Sequence, residues 1–226
     1  MVNLVKPKVL AVISQKGGSG KTPCALAMAV LAVEEGRSVA VVDLDPQATA
    51  ANWGDRRTAD GPSVVSCQVS RLASVLEAAA REGAELVVID TPGKATEAAI
   101  AAAKVADFVL IPCRPLLSDI ETLGSVKDIL TLAGNPPACV VVTQAPVQGQ
   151  RHLETAEAAR VAGFEVSPVV THLRNAHGDA ANIGQTPTEY DPRGKAAEEL
   201  RKLYSYICSV LYEGEKSHGK HAERRA

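Results

Sequence analysis

The chain has 226 residues, a formal net charge of −2 and five scattered cysteines (Cys24, Cys67, Cys113, Cys139, Cys208) with no C-x-x-C pair among them. That balance excludes a globally basic nucleic-acid binder, so contact with DNA requires a local patch. The cysteines point to reduced thiols rather than a disulfide framework or a zinc site. No apolar run reaches transmembrane length, and the first residues lack a signal-peptide core. The expectation is a soluble cytoplasmic protein, with one α/β domain over residues 1–212 and a polar, disordered tail over 213–226.

Taken in order, the first element is an apolar strand, Val9–Ile13, followed by Ser14-Gln-Lys-Gly-Gly-Ser-Gly-Lys-Thr22 and a helix over Ala25–Val33. Strand, glycine loop and helix in that order form a phosphate-binding site. The glycines let backbone N–H groups turn inward on an anion, and the helix directs its positive end at the same place. Lys21 supplies a point charge for the β/γ-phosphates, and the Thr22 hydroxyl is a ligand for Mg²⁺. The strict G-x-x-x-x-G-K-[ST] pattern fails at Gln15; the fit is K-G-G-x-G-K-[ST], Lys16–Thr22, with a second lysine at its start. Pro23 is tolerated in a first helical turn but brings no N–H to the α-phosphate. The expected cost in nucleotide affinity is ~1 kcal/mol for one lost hydrogen bond.

The second strand, Val39–Val42, runs into Asp43-Leu-Asp45-Pro-Gln47, where acids at i and i+2 on a strand point to one side. Trp53 reads as packing, and Arg56-Arg57 as a solvated helix face. A short strand at Val64–Ser66 and a helix over Leu72–Ala80 follow. Leu86–Ile89 ends in Asp90-Thr-Pro-Gly93, an apolar strand closed by one acid as in a Walker B segment, so Asp90 is placed to hold Mg²⁺ through water opposite Thr22. Phe108–Ile111 leads to Cys113, read as a buried thiol, and then to an amphipathic helix over Ser118–Leu132, a candidate to line a dimer face if the chain pairs with a second copy. Val140–Val142 ends at Thr143-Gln144, before a helix over Arg151–Ala162. A weaker strand covers Val166–Val170, and Arg174 lies in the basic turn beyond it. The last helix is expected to start at Pro192, be capped by Asp191 and reach Tyr212, carrying Arg193, Lys195, Arg201 and Lys202. Alternating strands and helices with β-branched runs predict a doubly wound, mostly parallel sheet covered on both faces. Right-handed crossovers then put the strand ends, and every acid singled out above, along one rim.

Three segments, Lys16–Thr22, Asp43–Gln47 and Glu189–Glu199 (E-Y-D-P-R-G-K-A-A-E-E), resemble the ParA/MinD family of deviant Walker A ATPases, in particular the short plasmid-type ParA proteins. The resemblance spans Lys8 to Tyr212. It implies a P-loop NTPase that binds ATP and Mg²⁺ and hydrolyses ATP slowly, stimulated by a partner. In such a protein Lys16 crosses a homodimer interface to the partner's nucleotide. Lys16, Lys21 and Asp45 are the implied catalytic set, with Asp45 orienting the attacking water. Residues Lys16, Gly17, Gly18, Ser19, Gly20, Lys21, Thr22 and Pro23 form the implied nucleotide site, together with Thr143, which stands where many relatives carry an Asn against the adenine. Thr22, Asp43 and Asp90 are the implied metal set. Implied partners are a second copy, a ParB-like protein or small DNA-binding adaptor, and non-specific DNA of the nucleoid, met through Arg174, Arg193, Lys195, Arg201 and Lys202. The cargo is a plasmid, a chromosome or another large assembly.

Two alternatives stand beside this. A cofactor-biosynthesis or metal-delivery ATPase shares the loop, although the cysteine pair of the nitrogenase iron protein is missing. A MinD-like oscillator needs an amphipathic membrane helix, and the tail 213–226 has no bulky apolar residue to insert.

Overall fold

In the computed structural model, which describes residues 6–212, each apolar run becomes a strand and each intervening periodic stretch a helix. The strands are β1 (Lys8–Val12), β2 (Val39–Asp43), β3 (Ser63–Ser66), β4 (Leu86–Asp90), β5 (Phe108–Cys113), β6 (Ala138–Val142) and β7 (Glu165–Val166). They form a single sheet in the order β3-β2-β4-β1-β5-β6-β7, with every neighbouring pair parallel. The central strands β1, β4 and β5 are buried almost throughout, as consecutive Val, Ile and Leu residues require when both faces are covered. The two edge strands, β3 and the two-residue β7, have no buried residue.

The helices are α1 (Lys21–Glu34), α2 (Thr49–Arg56), α3 (Leu72–Arg81), α4 (Thr96–Val105), α5 (Leu117–Ile120), α6 (Leu123–Leu132), α7 (Arg151–Val161), α8 (Asn175–Asn182), α9 (Pro187–Tyr190) and α10 (Lys195–Leu211). One core lies between the sheet and α1, α2 and α10; the other lies beneath α3, α4, α6 and α7. Helix α1 is the deepest. Cys24 through Ala32 are all buried, and its four alanines let it sit close between the sheet and α10. This deep seat fixes the helix start, and with it the loop that precedes it.

Four expectations need correction. The helix predicted over Ser118–Leu132 is two helices, α5 and α6. Thr122 closes a tight turn by donating both its N–H and its hydroxyl to the Asp119 carbonyl, while the Asp119 side chain is drawn to Arg114. The strand expected over Val166–Val170 stops at Val166. Pro168 has no N–H for the ladder, the Ser167 hydroxyl accepts the Val169 N–H, and the chain rejoins the edge of β6 only where Thr171 donates to the Val142 carbonyl. The last helix starts at Lys195 behind Gly194, without a cap from Asp191. A Thr186–Glu189 capping box with Pro187 in the first turn starts the separate helix α9 upstream, and Asp191 ends it. Arg57, finally, is not on a solvated face. Its guanidinium, 6% exposed, pairs with Glu189, donates to the Gly184 carbonyl and lies over the Trp53 ring. Trp53 packs as expected, with its indole N–H on the Gln185 carbonyl. The readings made for 213–226, disorder and a DNA contact, lie outside the described residues.

Candidate functional site

Along the C-terminal rim of the sheet the strand order sets out the chemistry: Asp45 beyond β2, Asp90 at the end of β4, the loop after β1, Arg114 after β5, Thr143 after β6 and His172 beyond β7. The register aligns Val12 with Asp90 and Asp43 with Asp90, so the two strand-end acids are neighbours across adjacent strands.

Gly20, at φ 93°, turns the chain into α1, a conformation that costs little only without a Cβ. Lys21 is buried and folds back so that its Nζ donates to the Lys16 carbonyl at 2.9 Å. Burial lowers its pKa, against the opposing pull of Asp90 and Asp45. An ammonium desolvated among carboxylates and loop amides is poised to exchange its carbonyl partner for an anion.

The Thr22 hydroxyl donates to Asp90 Oδ2 at 2.6 Å. Asp90 is fully buried, and its other oxygen, Oδ1, is buried with no hydrogen-bond partner. Its carboxyl is pushed up to about 7, first by burial, with a contribution from Asp43 and a partial offset from Thr22. A buried carboxylate oxygen without a partner, beside a hydroxyl on the loop, is a donor set that suits a small divalent cation with oxygen ligands and bound water. Two more buried polar atoms of the loop, Ser19 Oγ and Gln15 Nε2, also lack partners.

Asp43 and Asp45 part company just past the strand. Asp43 accepts the Asp45 N–H on Oδ1 (2.9 Å) and the Ala50 and Ala51 N–H groups on Oδ2 (2.9 and 3.1 Å), so its carboxylate holds the start of α2. Asp45 is half-buried and accepts the Gln47 N–H at 2.9 Å. On the same side, the turn after β4 presses on the loop: a Cβ on Gly93 would lie 2.9 Å from the Gly17 nitrogen, so only glycine fits there.

From β5 and β6, three side chains brace the loop. The Thr143 hydroxyl donates to the Ser19 carbonyl at 2.8 Å, and the Gln144 amide donates to the Gly18 carbonyl at 2.9 Å. Arg114 reaches the Gly17 carbonyl at 3.3 Å while paired with the buried Asp119 at 2.8 Å. Sequence reading gave Arg114 no role. Its signal was its place directly after a buried strand, on the rim that carries Asp90. Cys113, one residue earlier, is the buried thiol expected, its pKa pushed up to about 12 by burial.

Beyond Thr143 a cavity of 240 Å³ opens against Gly20 and Pro23, walled by His172, Arg174 and His177. The five basic residues assigned to DNA are in different situations. Arg174 is in this wall, tied to Glu199 at 2.6 Å. Arg201 donates to the Pro192 and Thr188 carbonyls, and Lys202 pairs with Glu198 within α10. Arg193 and Lys195 are exposed. Among the described residues no helix is long and apolar enough to cross a membrane.

The model of the CobQ/CobB/MinD/ParA nucleotide binding domain matches residues 10–186. The maintenance of carboxysome distribution protein A of Gloeobacter kilaueensis is 31% identical over 208 residues, 91% of this chain and 94% of that protein. The chromosome-partitioning ATPase Soj of Thermus thermophilus is 25% identical over 244 residues, covering 92% and 98%. Among solved structures, the septum site-determining protein MinD of Pyrococcus horikoshii, complexed with Mg-ADP, superposes with a TM-score of 0.70 at 16% identity, covering 89% of this chain and 96% of that one; this last likeness is one of fold.

Proposed function

The chain belongs to the CobQ/CobB/MinD/ParA family of nucleotide-binding domains, and from that premise we propose that it is an ATP-driven positioning ATPase that moves a large cargo over non-specific DNA. The observation that carries the nucleotide chemistry is the Thr22–Asp90 pair at 2.6 Å, with the unpartnered Asp90 Oδ1 beside it. Thr22 and Asp90 would hold Mg²⁺, which would supply charge neutralisation on the phosphates. Loop amides from Gly17 to Thr22 receive phosphate oxygens, and Lys21 gives up the Lys16 carbonyl for them. Asp45 orients the attacking water, while Asp43 keeps one lone pair at most and acts by fixing the loop that carries Asp45.

Lys16 stands at the start of the loop and completes the site of a second copy, so ATP binding and dimerisation are one event. Exposed Arg193 and Lys195, beside the start of α10, offer the dimer a phosphate-backbone contact. A partner protein accelerates hydrolysis and releases the dimer. The relatives named for chromosome partitioning and carboxysome distribution support positioning as the task.

The test is binding to random-sequence DNA with ATP, ADP or no nucleotide, with Lys16→Ala as control. Binding is expected only with ATP and only with Lys16 present. Binding indifferent to ATP would overturn the reading.

A further inference from the structure

The phosphate-handling groups and Asp45 lie toward the β2–β4 side of the loop, and the 240 Å³ cavity lies toward β6 and β7, bounded by Gly20, Pro23, Thr143, His172, Arg174 and His177. A nucleotide with its phosphates in the loop therefore has this cavity for its base. Much of the polar wall is already engaged. Thr143 spends its hydroxyl proton, and Gln144 one of its two amide protons, on loop carbonyls. Arg174 is the wall's one guanidinium, and Glu199 of α10 holds it: Nη2 lies 2.6 Å from Oε1, and Nε lies 3.2 and 3.3 Å from the two oxygens. The same carboxylate accepts the His172 N–H at 3.0 Å and lies 2.8 Å from His172 Nδ1. Arg174 and Glu199 are 21% and 15% exposed, so little water competes for the pair. The pKa of the His177 imidazole is lowered, chiefly by burial.

A free guanidinium fork presents two donors, which match the O6 and N7 acceptors of guanine. On the same edge adenine sets an amino donor beside N7, so the fork meets a donor with a donor. We propose that Glu199 is a specificity-determining residue: it withholds the Arg174 fork from the base, so that guanine is denied the bidentate partner that would draw it into the cavity in place of adenine. The inference rests on reading the cavity as the base end of an ATP site.

Equilibrium binding of ATP and of GTP, each with Mg²⁺, to the full chain tests it. Wild type prefers ATP. Glu199→Gln keeps the side chain's shape and an oxygen for His172 but loses the charge that holds Arg174. It should lower the ATP:GTP affinity ratio by about ten-fold or more, through tighter GTP binding. Adding Arg174→Met should return the ratio to within about two-fold of wild type. A smaller shift in Glu199→Gln, or one that survives in the double variant, overturns the proposal. If Glu199→Gln fails to fold, Arg174→Met alone decides: the ratio stays within about two-fold of wild type if Arg174 is already out of play, and a larger fall overturns it. A wild type that binds neither nucleotide refutes the ATP site itself. One that binds ATP and GTP equally, or whose ratio is unmoved by Glu199→Gln, refutes only the role of Glu199.

Discussion

Asp90 is held in two conflicting ways. Its Oδ2 has the Thr22 hydroxyl at 2.6 Å, while Oδ1 is buried and bare. Burial raises the carboxyl from 3.8 to about 7, so between those values the folded chain binds more protons than the unfolded one. Stability without metal should therefore fall as pH rises through that window, because the folded state is forced to ionise a desolvated acid. Urea midpoints at pH 5 and pH 7.5 measure this, as order-of-magnitude choices bracketing the upper part of the window. The drop is expected to shrink in Asp90→Asn and on adding Mg²⁺; an equal drop in Asp90→Asn would assign it elsewhere. One residue past Thr22, exposed Pro23 occupies the first turn of α1 without an N–H to give. Pro23→Thr should tighten ATP binding by about 1 kcal/mol in calorimetry. Unchanged affinity would mean that the phosphate does not use that amide.

At the scale of elements, α2 is tied at both ends. Asp43 accepts two amides of its first turn, and near its other end Trp53 and Arg57 are fastened to the chain between α8 and α9. The segment 44–48, which carries Asp45, thus hangs between a strand and a clamped helix. The clamp centres on the Arg57–Glu189 pair at 2.7 Å, with exposures of 6% and 18%. Removing one partner strands the other, so Arg57→Met should cost about 3 kcal/mol in urea unfolding. Exposed Arg56, which only donates to the Ala181 carbonyl, should cost about 0.5 kcal/mol or less as Arg56→Ala. Equal costs for the two would remove the distinction between clamp and surface.

At the scale of the molecule, a parallel sheet gathers distant residues on one rim. Asp45, Asp90, Arg114, Thr143 and His172 are separated by tens of residues, yet they flank one loop because consecutive crossovers return every strand end to the same side. Helix α10 reaches back to this rim. Glu199, near the end of the chain, holds His172 and Arg174 in the cavity wall.

Much of this was legible in the sequence by itself. Short runs such as Leu86–Ile89, rich in β-branched residues and closed by a turn, read as buried strands, and a glycine loop such as Lys16–Thr22 between strand and helix reads as an anion site. Both signals are local, carried by side-chain bulk or by glycine's missing Cβ within a few residues. What tertiary structure alone decided is which polar groups remain free. The sequence shows Arg57, Arg174 and Lys202 alike as basic residues; contact with Glu189, Glu199 and Glu198 makes them a buried clamp, a withheld fork and a surface pair. For Arg57 and Arg174 those partners lie 132 and 25 residues away, and no period or spacing encodes them. The Lys202–Glu198 pair, four residues apart on one helix, is the kind a sequence does announce. Local chemistry names the candidates, and burial with long-range pairing determines which of them can still act.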